Sequence, residues 1–236
     1  MVLQEPMSSL DPCFTIGDQL GEALKLHKGL RGSALKEASV SLLERVRIPS
    51  AAERIRQYPH ELSGGMLQRV CSAIALSGEP TVLIADEPTT ALDVTTQAQY
   101  LRLLRELQER TGFALVLISH DISVLRQMCE TIVVMYAGQV VERGPWETIA
   151  SAPQHPYTQA LFESLPSLDS GKRLTAIEGH APDPWSFPAG CRFAARCRYA
   201  RDVCVASTPE LTTRRDSGQV ARCFGTEDGG WIDSDG

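Results

Sequence analysis

The sequence predicts an α/β fold with a helical subdomain and a small cysteine-rich extension near its C-terminal end. Three observations predict it. Two continuous apolar runs, Val82–Ala85 and Ala114–Ile118, have the character of parallel strands covered on both faces. Each delivers polar residues at its C-terminal end, where open α/β sheets bind ligands. Residues 14–57 carry helical periodicity with no strand candidate, and four of the seven cysteines gather between Cys191 and Cys223.

The stretch from Leu62 to Asp93 organises the rest. Ser63-Gly64-Gly65 opens a helix, and glycines at a helix N-terminus let an anion approach free N–H groups. Leu67, Val70, Cys71 and Ile74 follow at helical spacing, so one face of that helix is expected to be buried. The strand Val82–Ala85 then presents Asp86 and Glu87; an aspartate there can hold Mg²⁺, and the next carboxylate can orient or deprotonate a water. A lone Ser-Gly-Gly is usually a loop and a lone Asp-Glu a solvated strand end. In this order, followed by Ala91-Leu92-Asp93, they are specific. The stretch resembles the nucleotide-binding subunit of ATP-binding-cassette (ABC) transporters, so the α/β fold is expected to be a partial P-loop NTPase core. Leu62–Gln68 matches the signature motif, with Met66 at the usual glutamine position; Leu83–Glu87 matches Walker B, and Thr90–Asp93 the D-loop.

The N-terminal residues M-V-L-Q-E-P-M-S-S-L read as the end of a strand and resemble the Q-loop region of oligopeptide and dipeptide importers, with Gln4 at the glutamine position. Helices are expected over Ile16–His27 and Leu35–Val46, and a third over Ala51–Tyr58 ended by Pro59. Asp93 is a candidate N-cap for a helix with the stripe Ala98, Leu101, Leu104 and Leu107, a Glu106–Arg110 pair and a stop at Gly112. Ala114–Ile118 delivers Ser119-His120-Asp121, and the resemblance makes His120 the switch histidine. Residues Thr131–Gly144 read as two strands turning at Ala137-Gly138. His155-Pro156-Tyr157-Thr158, with Leu161 and Leu165, resembles the helix that closes the cassette in peptide importers.

From Pro166 the composition shifts to Pro, Gly, Ser and Asp, a linker leading to Cys191-x5-Cys197-x6-Cys204-x18-Cys223. Four thiolates suit tetrahedral zinc or an iron–sulfur cluster, and reduced thiols in a tail are a third reading. No Cys-x2-Cys pair is present, which disfavours an ordinary zinc ribbon, and Arg192, Arg196, Arg198 and Arg201 are interleaved. The resemblance to peptide importers favours a [4Fe–4S] cluster.

Totals narrow the function. A net charge of −6 and a pI near 5.4 argue against a large nucleic-acid surface. Apolar runs stay far short of the ~20 residues that span a bilayer, and nothing at the N-terminus resembles a secretory signal. A cytoplasmic chain without disulfides is expected.

The resemblance implies an importer ATPase subunit at the cytoplasmic membrane face, peripheral to it, using ATP and Mg²⁺. In such subunits Asp86 and Gln4 would serve Mg²⁺, Glu87 would polarise the attacking water, and His120 would sense the γ-phosphate. Ser63, Gly64, Gly65 and Gln68 would face a partner's nucleotide, and Asp93 would couple the two sites. The expected organisation is residues 1–10 as the Q-loop region, 11–60 as the helical subdomain, 61–165 as the remaining ATPase core and 166–236 as linker and cysteine-rich extension. Partners would be a second ATPase subunit, permease subunits and, indirectly, a solute-binding protein. G-x-x-x-x-G-K-[ST] is absent: the only Gly-Lys pair, Gly171-Lys172, has Pro166 at the first-glycine position and Arg173 at the Ser/Thr position. The expectation is thus a chain truncated before its Walker A segment and inactive alone. A non-catalytic subunit that lends its signature motif, or a soluble ABC ATPase, are the alternative readings.

Overall fold

The computed structural model describes residues 1–164, 176–214 and 218–226. Leu165, the start of the expected linker at Pro166 and the Gly171-Lys172 pair lie outside those residues. Contacts divide the chain into two compact units, Met1–Met128 and Cys129–Gly236.

The first unit is an α/β layer. Its helices are α1 (Pro6–Ser9), α2 (Ile16–Lys28), α3 (Gly32–Arg45), α4 (Ala51–Arg54), α5 (Gly64–Leu76), α6 (Val94–Thr111) and α7 (Ile122–Met128). Strands β1 (Val82–Asp86) and β2 (Ala114–Ile118) pair in parallel, from Val82 opposite Ala114 to Asp86 opposite Ile118. On the other side of β1, Val2 forms a parallel bridge with Ala85, with the Val2 amide donating to Ile84 O and the Asp86 amide to Val2 O. That bridge is what brings Gln4 towards the C-terminal end of β1.

Local chemistry sets the helix ends. Thr15 and Asp18 form a reciprocal cap on α2, and Gly29, at φ 65°, closes it in the left-handed region. The Asp93 carboxylate caps α6, and Gly112, at φ 75°, ends it. Leu67 and Val70 on α5 and Leu101, Leu104 and Leu107 on α6 are buried, joined by Tyr100, whose hydroxyl meets Ser72 at 2.8 Å. Ala98 is exposed instead of joining the stripe. Glu106 bonds Arg47 of another element at 2.6 Å and not Arg110, because the guanidinium of Arg47 comes within reach across the helix packing.

Two further expectations change. The helix over Ala51–Tyr58 covers only Ala51–Arg54, followed by a 3-10 turn at Pro59–Glu61. The amides of Gly17 and Ile16 take the carbonyls of Ile55 and Gln57, each at 2.8 Å, so two donors opening α2 compete with continuation of the helix. The strands, expected to be covered on both faces, alternate: Leu83 and Ala85 are buried, while Val82, Ile84, Val116 and Ile118 expose 37–50% of their surface. An apolar run shows that neither face is charged; it does not show that each has a neighbour.

The second unit holds a four-stranded antiparallel sheet in the order β3-β4-β6-β5. Its strands are β3 (Thr131–Tyr136), β4 (Gln139–Pro145), β5 (Thr212–Arg214) and β6 (Gln219–Ala221). The β3–β4 turn falls at Ala137-Gly138, both at positive φ (47° and 78°), as a tight two-residue hairpin requires. The unit also holds helices α8 (Trp146–Ser151), α9 (Pro156–Glu163) and α10 (Asp202–Ala206), of which α8 packs on β3 and β4. Pairing of β4 with β6, Glu142 opposite Ala221, ties the cysteine-rich segment to the hairpin. Among the described residues no helix is long and apolar enough to cross a membrane.

Candidate functional site

Three of the sequence-predicted residues meet at one carboxylate. Glu87 follows the last residue of β1 with φ 41°, a conformation that non-glycine residues adopt with strain, and its amide donates to Ile118 O of β2 at 2.9 Å. This turn lifts the side chain out of the sheet. Oε2 then accepts from Gln4 Nε2 at 3.1 Å and from Thr90 Oγ1 at 2.8 Å, while His120 Nδ1 lies 3.1 Å from Oε1. The Thr90 hydroxyl and the His120 ring, with Gln4, hold the Glu87 carboxyl below the usual carboxylate range. Glu87 stays accessible, its side chain 22% exposed, and His120 is 68% exposed. With Nδ1–H directed at Glu87, Nε2 is left as the ring's free edge. The arrangement can orient a water at an ionised carboxylate while an amide and an imidazole line its approach.

Thr90 was not among the residues expected here. Its signal was local: a hydroxyl three residues after a carboxylate, in a turn where the Thr90 amide also bonds Glu87 O at 3.3 Å. Asp86, beside Glu87, is half-buried, and its carboxylate has no hydrogen-bond partner among the described residues.

Ser63, Gly64, Gly65 and Asp93 form a second group. Ser63 caps α5 by accepting the Met66 amide at 3.4 Å. The two glycines differ in what surrounds them. A Cβ on Gly64 would meet nothing within 4 Å, whereas one on Gly65 would lie 2.6 Å from Thr96 Cγ2. Gly65 therefore lets α5 approach α6, and Gly64 leaves the helix N-terminus open. Asp93 uses both oxygens on Thr96, from the amide at 3.0 Å and the hydroxyl at 2.6 Å, and these bonds hold its carboxyl low. Gln68 belongs to neither group: it is 1% exposed on the buried face of α5, and its Nε2 has no hydrogen-bond partner among the described residues.

In the second unit Cys191, Cys197, Cys204 and Cys223 line one cavity of about 20 Å³, with His155 and Phe193 in its wall. That is somewhat more than one water needs. Gly190 makes the assembly possible, since a Cβ there would sit 2.3 Å from Cys204 O and 2.4 Å from Val205 O. The close approach lets the Cys191 amide bond Cys204 O at 2.8 Å. Burial pushes the Cys223 thiol up to about 12 and Cys197 to about 11, and raises Cys191, with neighbouring thiols adding to each shift. Among the described residues no group of three or more His, Cys, Asp or Glu side chains is gathered closely enough to hold a metal ion. The expected metal site is thus a shared thiol-lined cavity, and the sulfurs do not converge on one point.

Behind that cavity lies a buried carboxylate that sequence reasoning missed. Glu142 on β4 is fully buried; Oε1 accepts from the Gln154 amide (2.7 Å) and Gln219 Nε2 (2.5 Å), and Oε2 from the His155 amide (3.0 Å). Burial pushes its carboxyl up, and the donors pull it part of the way back. His155 Nδ1 accepts the Tyr157 amide at 3.0 Å and so caps α9. Burial, with the Arg222 charge, lowers the His155 pKa to about 3.

Residues 1–90 match the ABC transporter family, and residues 141–204 match the family described as oligopeptide/dipeptide transporter, C-terminal region. A peptide import ATP-binding protein of Brucella abortus is 48% identical over 224 residues, covering 94% of this chain and 67% of that relative. The dipeptide transport ATP-binding protein DppD of Bacillus subtilis is 50% identical over 221 residues, covering 93% of this chain and 66% of that relative. The chain thus spans about two thirds of the length of these relatives. Among solved structures, the ATP-binding cassette MJ0796, dimeric and bound to ADP and Pi, is 29% identical with a TM-score of 0.54, over 61% of this chain and 62% of that one. The cbiO1 subunit from Clostridium perfringens, part of an ABC transporter complex, is 27% identical with a TM-score of 0.55, over 64% and 58%. With its cassette fold and its match to these relatives on both sides of Met128, the chain belongs to the ATP-binding subunits of the oligopeptide/dipeptide ABC transporter family.

Proposed function

We propose that this chain couples ATP hydrolysis to the import of oligopeptides or dipeptides, working at the cytoplasmic membrane face with permease subunits, a second ATPase subunit and, indirectly, a solute-binding protein. The observation that carries this reading is the carboxylate of Glu87 held at a strand end by Gln4, Thr90 and His120. Glu87 polarises the attacking water, and Gln4 and His120 sense the γ-phosphate. Asp86, with Gln4, would hold Mg²⁺, which keeps most of its ligands as water and phosphate oxygens and needs few from protein. The open N-terminus of α5, with Ser63 and Gly64, faces the nucleotide of the partner subunit, while Asp93 links the two sites through Thr96. The phosphate cradle, G-x-x-x-x-G-K-[ST], is supplied from outside these 236 residues.

The expected organisation is carried into this reading. Residues 11–60, which include α2, α3 and α4, dock onto the permease, and residues 1–10 relay that contact to Gln4. The cysteine-rich extension holds a [4Fe–4S] cluster on Cys191, Cys197, Cys204 and Cys223. Support for this reading is that all four thiols line one cavity, and zinc is the competing occupant. Bound there, the cluster would cross-link segments too small to build a core of their own. The test is peptide uptake. In vesicles carrying the permease subunits and a P-loop-bearing cassette, adding this chain should produce ATP-dependent accumulation of a labelled dipeptide. Uptake that is unchanged by the chain would remove it from the transport cycle.

A further inference from the structure

The first unit holds a cavity of about 170 Å³ lined by Arg45, Leu76, Glu79, Pro80, Thr111 and Phe113, at the opposite end of β1 from Glu87. Three helices end on it: Arg45 is the last residue of α3, Leu76 of α5 and Thr111 of α6. Helix C-termini carry partial negative charge, so their convergence favours a cationic group between them. Leu76 and Phe113 are buried and make an apolar floor, while Arg45 and Glu79 are exposed. The two charges are left open to a ligand. Among the described residues the Arg45 guanidinium makes no hydrogen bond or ion pair. Glu79 accepts Lys28 Nζ on Oε1 at 2.5 Å, and its Oε2 has no partner among the described residues. The hydrogen bond and charge of Lys28, and more weakly the Arg45 charge, hold the Glu79 carboxyl below the usual carboxylate range. Glu79 also stands at φ 49°, a left-handed conformation that strains a non-glycine residue. Its loop is docked on the end of α2, where a Cβ on Gly78 would come within 3.2 Å of the His27 ring.

We propose that this cavity binds a free apolar α-amino acid such as leucine. The ligand carboxylate pairs with Arg45, whose planar fork suits two oxygens. Its ammonium lies between Glu79 Oε2 and the Thr111 hydroxyl, which donates to Leu107 O at 2.5 Å and so offers lone pairs to the cavity. The side chain rests on Leu76, Pro80 and Phe113. Other ligand classes fit less well. A phosphate ester would meet a single cation beside a carboxylate, and a sugar would meet an apolar floor with few donors. The volume lies below the about 300–1,000 Å³ of pockets for drug-sized ligands, which suits a single amino acid. The site shares no residue with the Glu87 cluster and does not rest on the ATP reading.

Ligand-observed NMR titration of the full chain with L-leucine, leucinamide and isocaproate tests the assignment. Leucinamide lacks the carboxylate, and isocaproate lacks the amine. Leucine should bind saturably at millimolar concentration, and each analogue about tenfold more weakly. Arg45→Gln should weaken leucine about tenfold and leave leucinamide unchanged. Glu79→Gln should weaken leucine by a similar factor and leave isocaproate unchanged. Both side chains are exposed, so both variants should keep a near-parental melting temperature. Absence of saturable leucine binding by the parent overturns the proposal. Leucine affinity unaltered in both variants, or an amide that binds as well as the acid, overturns it equally.

Discussion

Glu87→Gln should lower ATP turnover by about 10²–10⁴-fold once a P-loop-bearing cassette completes the site, with nucleotide affinity almost unchanged. The carboxylate is the only anionic group among the four side chains that converge there, and Asp86 next to it remains available to the metal. A Gln side chain keeps one acceptor for Thr90. That oxygen also accepts from Gln4 Nε2, so the new NH₂ faces His120 Nδ1, itself a donor, and the cluster loses its charge and one of its bonds. Binding energy to phosphate and Mg²⁺ does not pass through these contacts. Steady-state hydrolysis by the assembled site, with and without the substitution, is the measurement. Near-parental turnover would take Glu87 out of the water-activating role.

Glu142→Ala should unfold the second unit or bring it close to unfolding. The substitution leaves the Gln154 and His155 amides without their acceptor in a fully buried place, while Gln219 Nε2 keeps its bond to Ala152 O. Each stranded donor costs about 1–3 kcal/mol, and a domain's whole stability is about 5–15 kcal/mol. Glu142→Gln should be milder, because one oxygen remains to accept. Because burial raises the folded-state pKa of Glu142, its protonation favours folding. The stabilisation is complete below the carboxyl's unfolded pKa and is lost as pH rises through the raised folded value. Urea unfolding of parent and variant, followed by the fluorescence of Trp146, would report the effect. A parental midpoint for Glu142→Ala would show that the network does not support the unit.

What was legible in the sequence was local. Ser63-Gly64-Gly65 as a helix opening, Asp93 as a cap, Gly112 as a stop and Ala137-Gly138 as a hairpin turn each depend on a few neighbouring residues, and each stands where expected. The three-way meeting of Gln4, Glu87 and His120 was approached through resemblance, since the residues lie on separate elements that only the β1 pairings bring together. The burial of Gln68 was within reach, because it shares the face of Cys71 and Ser72 at helical spacing. Other features depended on distant partners. The fourth helix stops early because α2 takes its carbonyls, and Glu106 finds Arg47 across the fold. Glu142 reads as an ordinary solvated residue in a strand until residues 154, 155 and 219 converge on it. Apolar runs at β1 and β2 reported a preference for burial and not which face has a neighbour.

In the proposed function these 236 residues hold the water-orienting side of an ATP site and an open signature helix, but not the nest that grips the phosphates. Equilibrium titration of the purified chain with a fluorescent ATP analogue in the presence of Mg²⁺ tests this most directly. Without a P-loop lysine and its ring of amides, binding should be weak and remain far from saturation at micromolar nucleotide. Adding the P-loop-bearing cassette should then produce tight, Mg²⁺-dependent binding. Micromolar affinity for the chain alone would contradict this and place a phosphate-binding site elsewhere in the fold.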